Sequence, residues 1–231
     1  MDSILFICEG STEVFLLYKI LEREFNIEIS NELKENGNLF IPKMKGIMSS
    51  FLENENISIK AYNLDGETKL KKYTKALSKD PFLENLTKII YIMDADYISG
   101  RETGYERTKK AIEDSIKELK EKSEDLEFDY FITPNNKDDG MTETLLLDSL
   151  NCQEVVDYIR NDVIPVVKEM KNCEIKNEQK STFMMVAATQ NPLRGTAPAF
   201  ISKCYDKFDK NSVSLKNLID FLNKHMTIVI V

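Results

Sequence analysis

The feature that most constrains the fold is a nearly continuous apolar run, Lys-Ile-Ile-Tyr-Ile-Met, over residues 88–93. A strand with one solvent-exposed face alternates apolar and polar residues, whereas a strand inside a parallel sheet is apolar on both faces. The run ends abruptly at Asp94-Ala95-Asp96. We therefore predict a central parallel strand that delivers two aspartates to one edge of a sheet.

Other strand-sized runs alternate with helical patterns along the first 133 residues. Strands are predicted at 3–8, 57–62 and 128–133, and a short strand and helix are expected between residues 38 and 52. Helical spacing follows the first strand, over 14–25, and the central strand, over 101–124. This alternation predicts an α/β, Rossmann-like, largely parallel sheet flanked by helices.

The remainder of the chain has mainly helical patterns, at residues 142–150, 153–170, 181–190 and 214–225. We predict a core of residues 1–150, with residues 151–231 forming a mainly helical extension packed on it. The apolar, β-branched segment 226–231 is expected to be an edge strand or part of an interface.

Composition restricts the chemistry that the chain can perform. The net charge of −8, from 31 basic and 39 acidic residues, argues against broad binding to nucleic acid through a basic face. Four scattered cysteines and one histidine, His225, do not support a zinc site or a Ser-His-Asp triad, so any metal must be held by oxygen. Without a membrane-length apolar run or a basic secretory leader, we expect a cytoplasmic protein with no membrane partner.

Acidic residues follow three of the predicted strands. Glu9 follows the first strand, Asp94 and Asp96 the central one, and Glu143 lies shortly after the strand that ends at Thr133. Ligands bind at the carboxyl edge of open parallel sheets, so these side chains are expected to converge. The i, i+2 spacing of the aspartates places them on one side while strand conformation persists. Carboxylates suit Mg²⁺ or Mn²⁺, which stabilise charge on phosphate and activate water.

Simpler explanations exist for some of these residues. Glu13 and Glu143 fall in predicted first helical turns, where the helix dipole favours a negative charge. The charged helix over 101–124 reads as a solvated surface. Residues at such positions need no ligand, so a structural role and a role in a metal site both stay open for them at this point.

Two segments resemble the Toprim domain: Ile-Leu-Phe-Ile-Cys-Glu-Gly-Ser-Thr-Glu over 4–13, and Ile-Ile-Tyr-Ile-Met-Asp-Ala-Asp over 89–96. Pro-Asn-Asn at 134–136 with Gly-Met-Thr-Glu at 140–143 is similar to the third block of compact Toprim-like proteins of unassigned function. These are distantly similar to the overcoming-lysogenization-defect nucleases, which accompany ABC-type ATPases in phage defence. The chain departs from the pattern at Thr142, where leucine is common, and at the extra acidic pair Asp138-Asp139.

The resemblance implies Glu9, Asp94, Asp96 and Lys180 as catalytic residues. It implies Glu9, Asp94, Asp96 and Glu143 as metal ligands, with Gly10, Glu13 and Gly140 as secondary candidates. Lys180 could equally be an exposed lysine at the start of a helix. The expected partners are DNA or RNA, with an ABC-type ATPase and a second copy of the chain as further candidates.

Three functions follow as hypotheses. The first is a Mg²⁺-dependent nuclease, acting in phage defence or in RNA or DNA processing. The second is a non-catalytic Toprim-like subunit that binds nucleic acid or a nucleotide beside an ATPase. The third is a phosphatase or phosphotransferase for a small metabolite, which would need a deep closed pocket instead of an open groove.

Overall fold

A computed structural model describes residues 2–27, 47–53, 57–97, 103–190 and 194–226. Its single sheet contains β1 (Asp2–Cys8), β2 (Ile47–Glu53), β3 (Ile57–Asn63), β4 (Lys88–Asp94) and β5 (Glu127–Thr133). The strand order is β2-β3-β1-β4-β5. The last four strands in that order are parallel, and β2 pairs antiparallel with β3 at one edge. The predicted largely parallel α/β sheet is therefore confirmed.

Most helices within the described residues lie close to the predicted positions, but the helix at Ala197–Cys204 was not predicted. They are α1 (Ser11–Glu24), α2 (Leu70–Leu77), α3 (Gly104–Lys120), α4 (Thr142–Ser149), α5 (Gln153–Tyr158), α6 (Ile164–Glu169), α7 (Glu178–Ala188), α8 (Ala197–Cys204) and α9 (Val213–Met226). Short 3-10 turns occupy Glu67–Lys69, Pro81–Asn85 and Tyr205–Lys207. Within these ranges no helix has the length and apolar character needed to cross a bilayer.

Both faces of the sheet are covered, which explains why the interior strand β4 is apolar from Ile89 to Met93. Leu5, Ile7 and Tyr91 are buried on one face in a cluster that includes residues of α2 and α3. The alternate residues Ile4 and Phe6 are buried on the other face. That second cluster also contains residues of α1, α4 and the helices of the C-terminal extension, so extension and sheet share apolar packing.

Two of the boundary differences have local causes. The helix predicted over 101–124 begins at Gly104, because the hydroxyl of Thr103 accepts the Glu106 N–H and caps it. The helix predicted over 153–170 is interrupted by a π-helical turn at Ile159–Val163. Pro165, two residues after this turn, lacks the N–H that an α-helix requires, which accounts for the change in register. The expectations for residues 38–46 and 227–231 lie outside the described residues.

Candidate functional site

Glu9 and Asp94 meet where the neighbouring parallel strands β1 and β4 end. The backbone N–H of Glu9 donates to the Ile92 carbonyl at 3.1 Å, which continues the ladder between the strands. The Glu9 side chain then turns toward β4, and its Oε2 accepts the backbone N–H of Asp94 at 3.1 Å. Residues 85 positions apart are thus in direct contact at the carboxyl edge.

Asp94 is the most firmly oriented acid of this group. Its Oδ1 accepts the Thr133 hydroxyl at 2.6 Å, the Thr142 backbone N–H at 2.8 Å and the Thr142 hydroxyl at 2.9 Å. Among the described residues its Oδ2 accepts no hydrogen bond. Thr142, where the chain departs from the Toprim-like pattern, therefore supplies two of the three bonds that fix Asp94.

Asp96 is positioned by a different geometry from the one expected. Strand β4 ends at Asp94, and Asp96 has a φ of 57°, so the same-side argument for an i, i+2 pair does not apply. Its N–H donates to the Gly140 carbonyl at 2.5 Å. Gly140 has a φ of 151°, and a Cβ there would lie 2.8 Å from Pro134 Cδ. Gly140 thus contributes through its backbone, by holding the loop that carries Asp96.

Glu13 and Glu143 are both buried, but their surroundings differ. The Oε2 of Glu13 accepts the Gly10 N–H at 2.7 Å, which caps α1 as the helix-start explanation expects. The Oε2 of Glu143 is buried with no hydrogen-bond partner among the described residues. A buried carboxylate oxygen without a donor is costly. The helix-start explanation alone therefore does not account for Glu143.

The acids interact electrostatically as one cluster, called here the acidic cluster: Glu9, Glu13, Asp94, Asp96 and Glu143. Burial, and next the Asp94 charge, raise the pKa of Glu9 from 4.5 to about 8. Burial likewise raises the pKa of Asp94, Glu13 and Glu143, with Asp94 adding to the effect on the two glutamates. In the absence of a cation, burial and mutual repulsion therefore favour the protonated form of these four carboxyl groups.

Two cationic side chains border the acidic cluster. Lys180 is exposed in the first turn of α7, and although desolvation lowers its pKa, the charges of Glu143, Asp94 and the other acids together outweigh it and raise the pKa. On α3, the Arg107 guanidinium lies 2.9 Å from Glu67 Oε2 and 3.6 Å from Asp96 Oδ2. The charges of the acids therefore act on Lys180, which is also an exposed lysine at the start of a helix, so its position agrees with both explanations.

Several residues at this edge were not anticipated. Glu67 follows β3, whose end lies at the same edge, so the rule that singled out Glu9 could have found it. The exposed Tyr97 has its hydroxyl 3.4 Å from Thr144 Oγ1. Arg107 carried no sequence signature, since its helix resembled a solvated surface. Asp139, part of the extra acidic pair, accepts the Tyr105 N–H at 2.9 Å and so tethers α3.

The acidic cluster is not a preassembled metal cage. Across the described ranges, no three cysteine, histidine or acidic side chains converge closely enough to hold an ion as they stand. The donors are nevertheless all oxygens, and they include the unsatisfied Oε2 of Glu143 and the unbonded Oδ2 of Asp94. This donor set suits Mg²⁺ or Mn²⁺, which keep several waters and need few protein ligands.

Comparison with known proteins identifies relatives without a defined activity. No curated protein matches the chain. The crystal structure of a hypothetical protein from Pyrococcus horikoshii OT3 is similar, with 16% sequence identity and a TM-score of 0.50 over 97% of this chain and 95% of that chain. This likeness shows a shared fold alone. The model of the DUF3226 family, described as a protein of unknown function, matches residues 3–227. The chain therefore belongs to the DUF3226 family.

Proposed function

We propose that the acidic cluster binds Mg²⁺ and that the protein hydrolyses phosphodiester bonds in DNA or RNA, as a Toprim-like nuclease. The observation that carries the proposal is the convergence of buried acids with raised pKa values, one of which, Glu143, has an unsatisfied oxygen. Burying carboxylates together costs stability unless a cation or protons compensate. A site that pays this cost in the free protein is well suited to a divalent cation.

Asp94 is the best candidate for the central ligand. Three hydrogen bonds hold its Oδ1, so little conformational freedom would be lost when Oδ2 binds a cation. Asp96 and Glu143 would supply further oxygens, directly or through water. The threonines that bond Asp94 would set its orientation, in the way that supporting residues usually tune metal ligands.

Glu9 and Lys180 would act on the substrate beside the cation. Glu9, whose Oε2 accepts the Asp94 N–H, would accept a proton from an attacking water once a bound cation offsets the carboxylate charge that raises its pKa. The protonated Lys180 would offset negative charge that develops on the phosphate. A bound cation would supply Lewis-acid stabilisation of that charge and lower the pKa of the attacking water.

A second candidate is a non-catalytic subunit that binds nucleic acid or a nucleotide beside an ABC-type ATPase. The net charge of −8 favours it, because an acidic protein attracts nucleic acid weakly without help from a partner. The absence of a preassembled cation site within the described ranges also agrees with it, since a partner could complete the geometry. The two candidates differ in whether the isolated chain cleaves its substrate.

The test compares wild type with Asp94→Asn, which keeps the size and the acceptor oxygen of the side chain. Asp114→Asn, at an exposed position on α3, is the matched control. Plasmid DNA and structured RNA are incubated with Mg²⁺ or Mn²⁺, and Mn²⁺ binding is measured by calorimetry. Wild type and Asp114→Asn should bind Mn²⁺ and cleave, whereas Asp94→Asn should lose both, with cleavage reduced at least about 100-fold.

The outcomes separate the candidates. Cleavage that persists in Asp94→Asn, or a wild type that binds no Mn²⁺, contradicts the nuclease proposal. Mn²⁺ binding that depends on Asp94, with cleavage appearing only after an ATPase encoded by a neighbouring gene is added, supports the second candidate.

A further inference from the structure

We propose that Arg107 binds a phosphate group of the substrate, and that it exchanges its contact with Asp96 for that phosphate when a divalent cation occupies the acidic cluster. The inference rests on the proposed function, which assigns a cation and a phosphodiester to this edge. It adds a substrate-binding residue that no motif in the sequence indicates.

The backbone that carries Arg107 is fixed to the loop that carries the acids. A Cβ on Gly104 would lie 2.1 Å from the Ala95 carbonyl, so α3 approaches this loop as closely as a glycine permits. The Thr108 hydroxyl donates to the Asp94 carbonyl at 3.0 Å. With the tether between Tyr105 and Asp139, these contacts hold the first turn of α3 in place. Arg107 therefore extends from a rigid base.

The contacts of Arg107 are unequal, which is what an exchange requires. Its 2.9 Å contact with Glu67 is a normal ion pair, whereas its 3.6 Å contact with Asp96 is too long for a hydrogen bond. The Nε is buried with no hydrogen-bond partner among the described residues. A guanidinium has five N–H donors in a planar fork that matches phosphate. Arg107 can keep Glu67 as an anchor and turn its remaining donors to an anion.

The charge at this edge favours the exchange. Carboxylates repel a phosphodiester, so the substrate needs positive charge around the acidic cluster as well as within it. The largest carboxylate influence on Lys180 comes from Glu143, whereas Arg107 contacts Asp96 and Glu67. A cation bound at Asp96 would repel the guanidinium and satisfy that carboxylate. Arg107, which is 37% exposed, would then meet the phosphate at the rim.

The experiment uses binding, with no dependence on turnover. Mn²⁺ is titrated by calorimetry into wild type, Arg107→Ala, Arg107→Lys and Lys110→Ala, and thymidine 5′-monophosphate is then titrated into each Mn²⁺-loaded protein. Lys110 is exposed on the same helix, so its variant controls for the loss of one positive charge. Arg107→Ala should bind Mn²⁺ at least as tightly as wild type and the nucleotide about 10- to 100-fold more weakly. Arg107→Lys should be intermediate, and Lys110→Ala should match wild type.

Each other outcome overturns the inference. Equal nucleotide affinity in wild type and Arg107→Ala, or no Mn²⁺-dependent nucleotide binding by wild type, excludes a phosphate contact. Weaker Mn²⁺ binding and a lower melting temperature in Arg107→Ala would assign the residue a structural role at Glu67. If Arg107→Ala does not fold, wild-type affinity in Arg107→Lys overturns the inference. Failure of the proposed function is seen separately, as Mn²⁺ binding that survives in Asp94→Asn.

Discussion

Replacing Glu9 by glutamine should stabilise the cation-free protein, by an amount that grows with pH. The amide cannot ionise, yet its oxygen can still accept the Asp94 N–H that Glu9 Oε2 accepts at 3.1 Å. The substitution thus removes the charge and retains the hydrogen bond. Most substitutions at a buried polar position destabilise a protein. A gain in unfolding free energy would therefore indicate a carboxyl group whose ionised form is unfavourable in the folded state.

The magnitude follows from the pKa of Glu9, which burial and then Asp94 raise from 4.5 to about 8. When the pKa of a group is higher in the folded than in the unfolded state, its protonated form favours folding. That contribution is complete at pH values below the unfolded-state pKa and is lost as the pH rises to the folded-state pKa. At about 1.4 kcal/mol per pH unit, the gain in unfolding free energy for Glu9→Gln is at most about 1 kcal/mol at pH 5, about 3 kcal/mol at pH 7 and about 5 kcal/mol above pH 8.

The assay is urea unfolding followed by circular dichroism, in a chelator, at these three pH values. Glu124→Gln, at an exposed carboxylate, is the control and should track wild type. Excess Mg²⁺ should then stabilise wild type at pH 7 more than the variant, since a ligand of the folded state raises its stability. A gain that does not change with pH, or a net loss at pH 7, would refute the reasoning about the buried acids.

Two further predictions address the framework of the site. Gly104→Ala should lower the unfolding free energy by about 1–3 kcal/mol and weaken Mn²⁺ binding. The new Cβ would lie 2.1 Å from the Ala95 carbonyl and would push α3 away from the loop. Urea unfolding and calorimetry measure the two effects, and unchanged values would contradict the prediction. Phe200→Ala should cost about 3–5 kcal/mol in a single unfolding transition, because Phe200 is fully buried in the cluster shared by the sheet and the C-terminal extension. Two separate transitions in the urea curve would instead indicate that the extension folds as its own domain.

The sheet was predictable because hydrophobic burial leaves a local pattern. A run such as 88–93 must be apolar on both faces when both faces are covered, so strand type and position can be read from a few residues. The rule that loops at the carboxyl edge carry ligands then singled out Glu9 and Asp94, which are in direct contact. The same rule applied to β3 would have added Glu67.

Other features depend on contacts between residues far apart in sequence. The orientation of Asp94 comes from Thr133 and Thr142, which lie 39 and 48 positions away. The left-handed backbone at Asp96 follows the Gly140 contact, so a rule based on strand periodicity could not foresee it. Helix α3 looked like a solvated surface because most of its charged residues are exposed, and only its packing on the Ala95 loop sets Arg107 apart.

The sequence by itself determined the parallel sheet, the order of its helices and the edge where acids gather, because apolar periodicity and strand direction are local properties. Only the tertiary structure decided which carboxylate oxygens accept hydrogen bonds, which pKa values are raised and which cationic side chains lie beside the acids. Those properties depend on burial and on distances of a few ångströms between separate elements, and no local pattern records them.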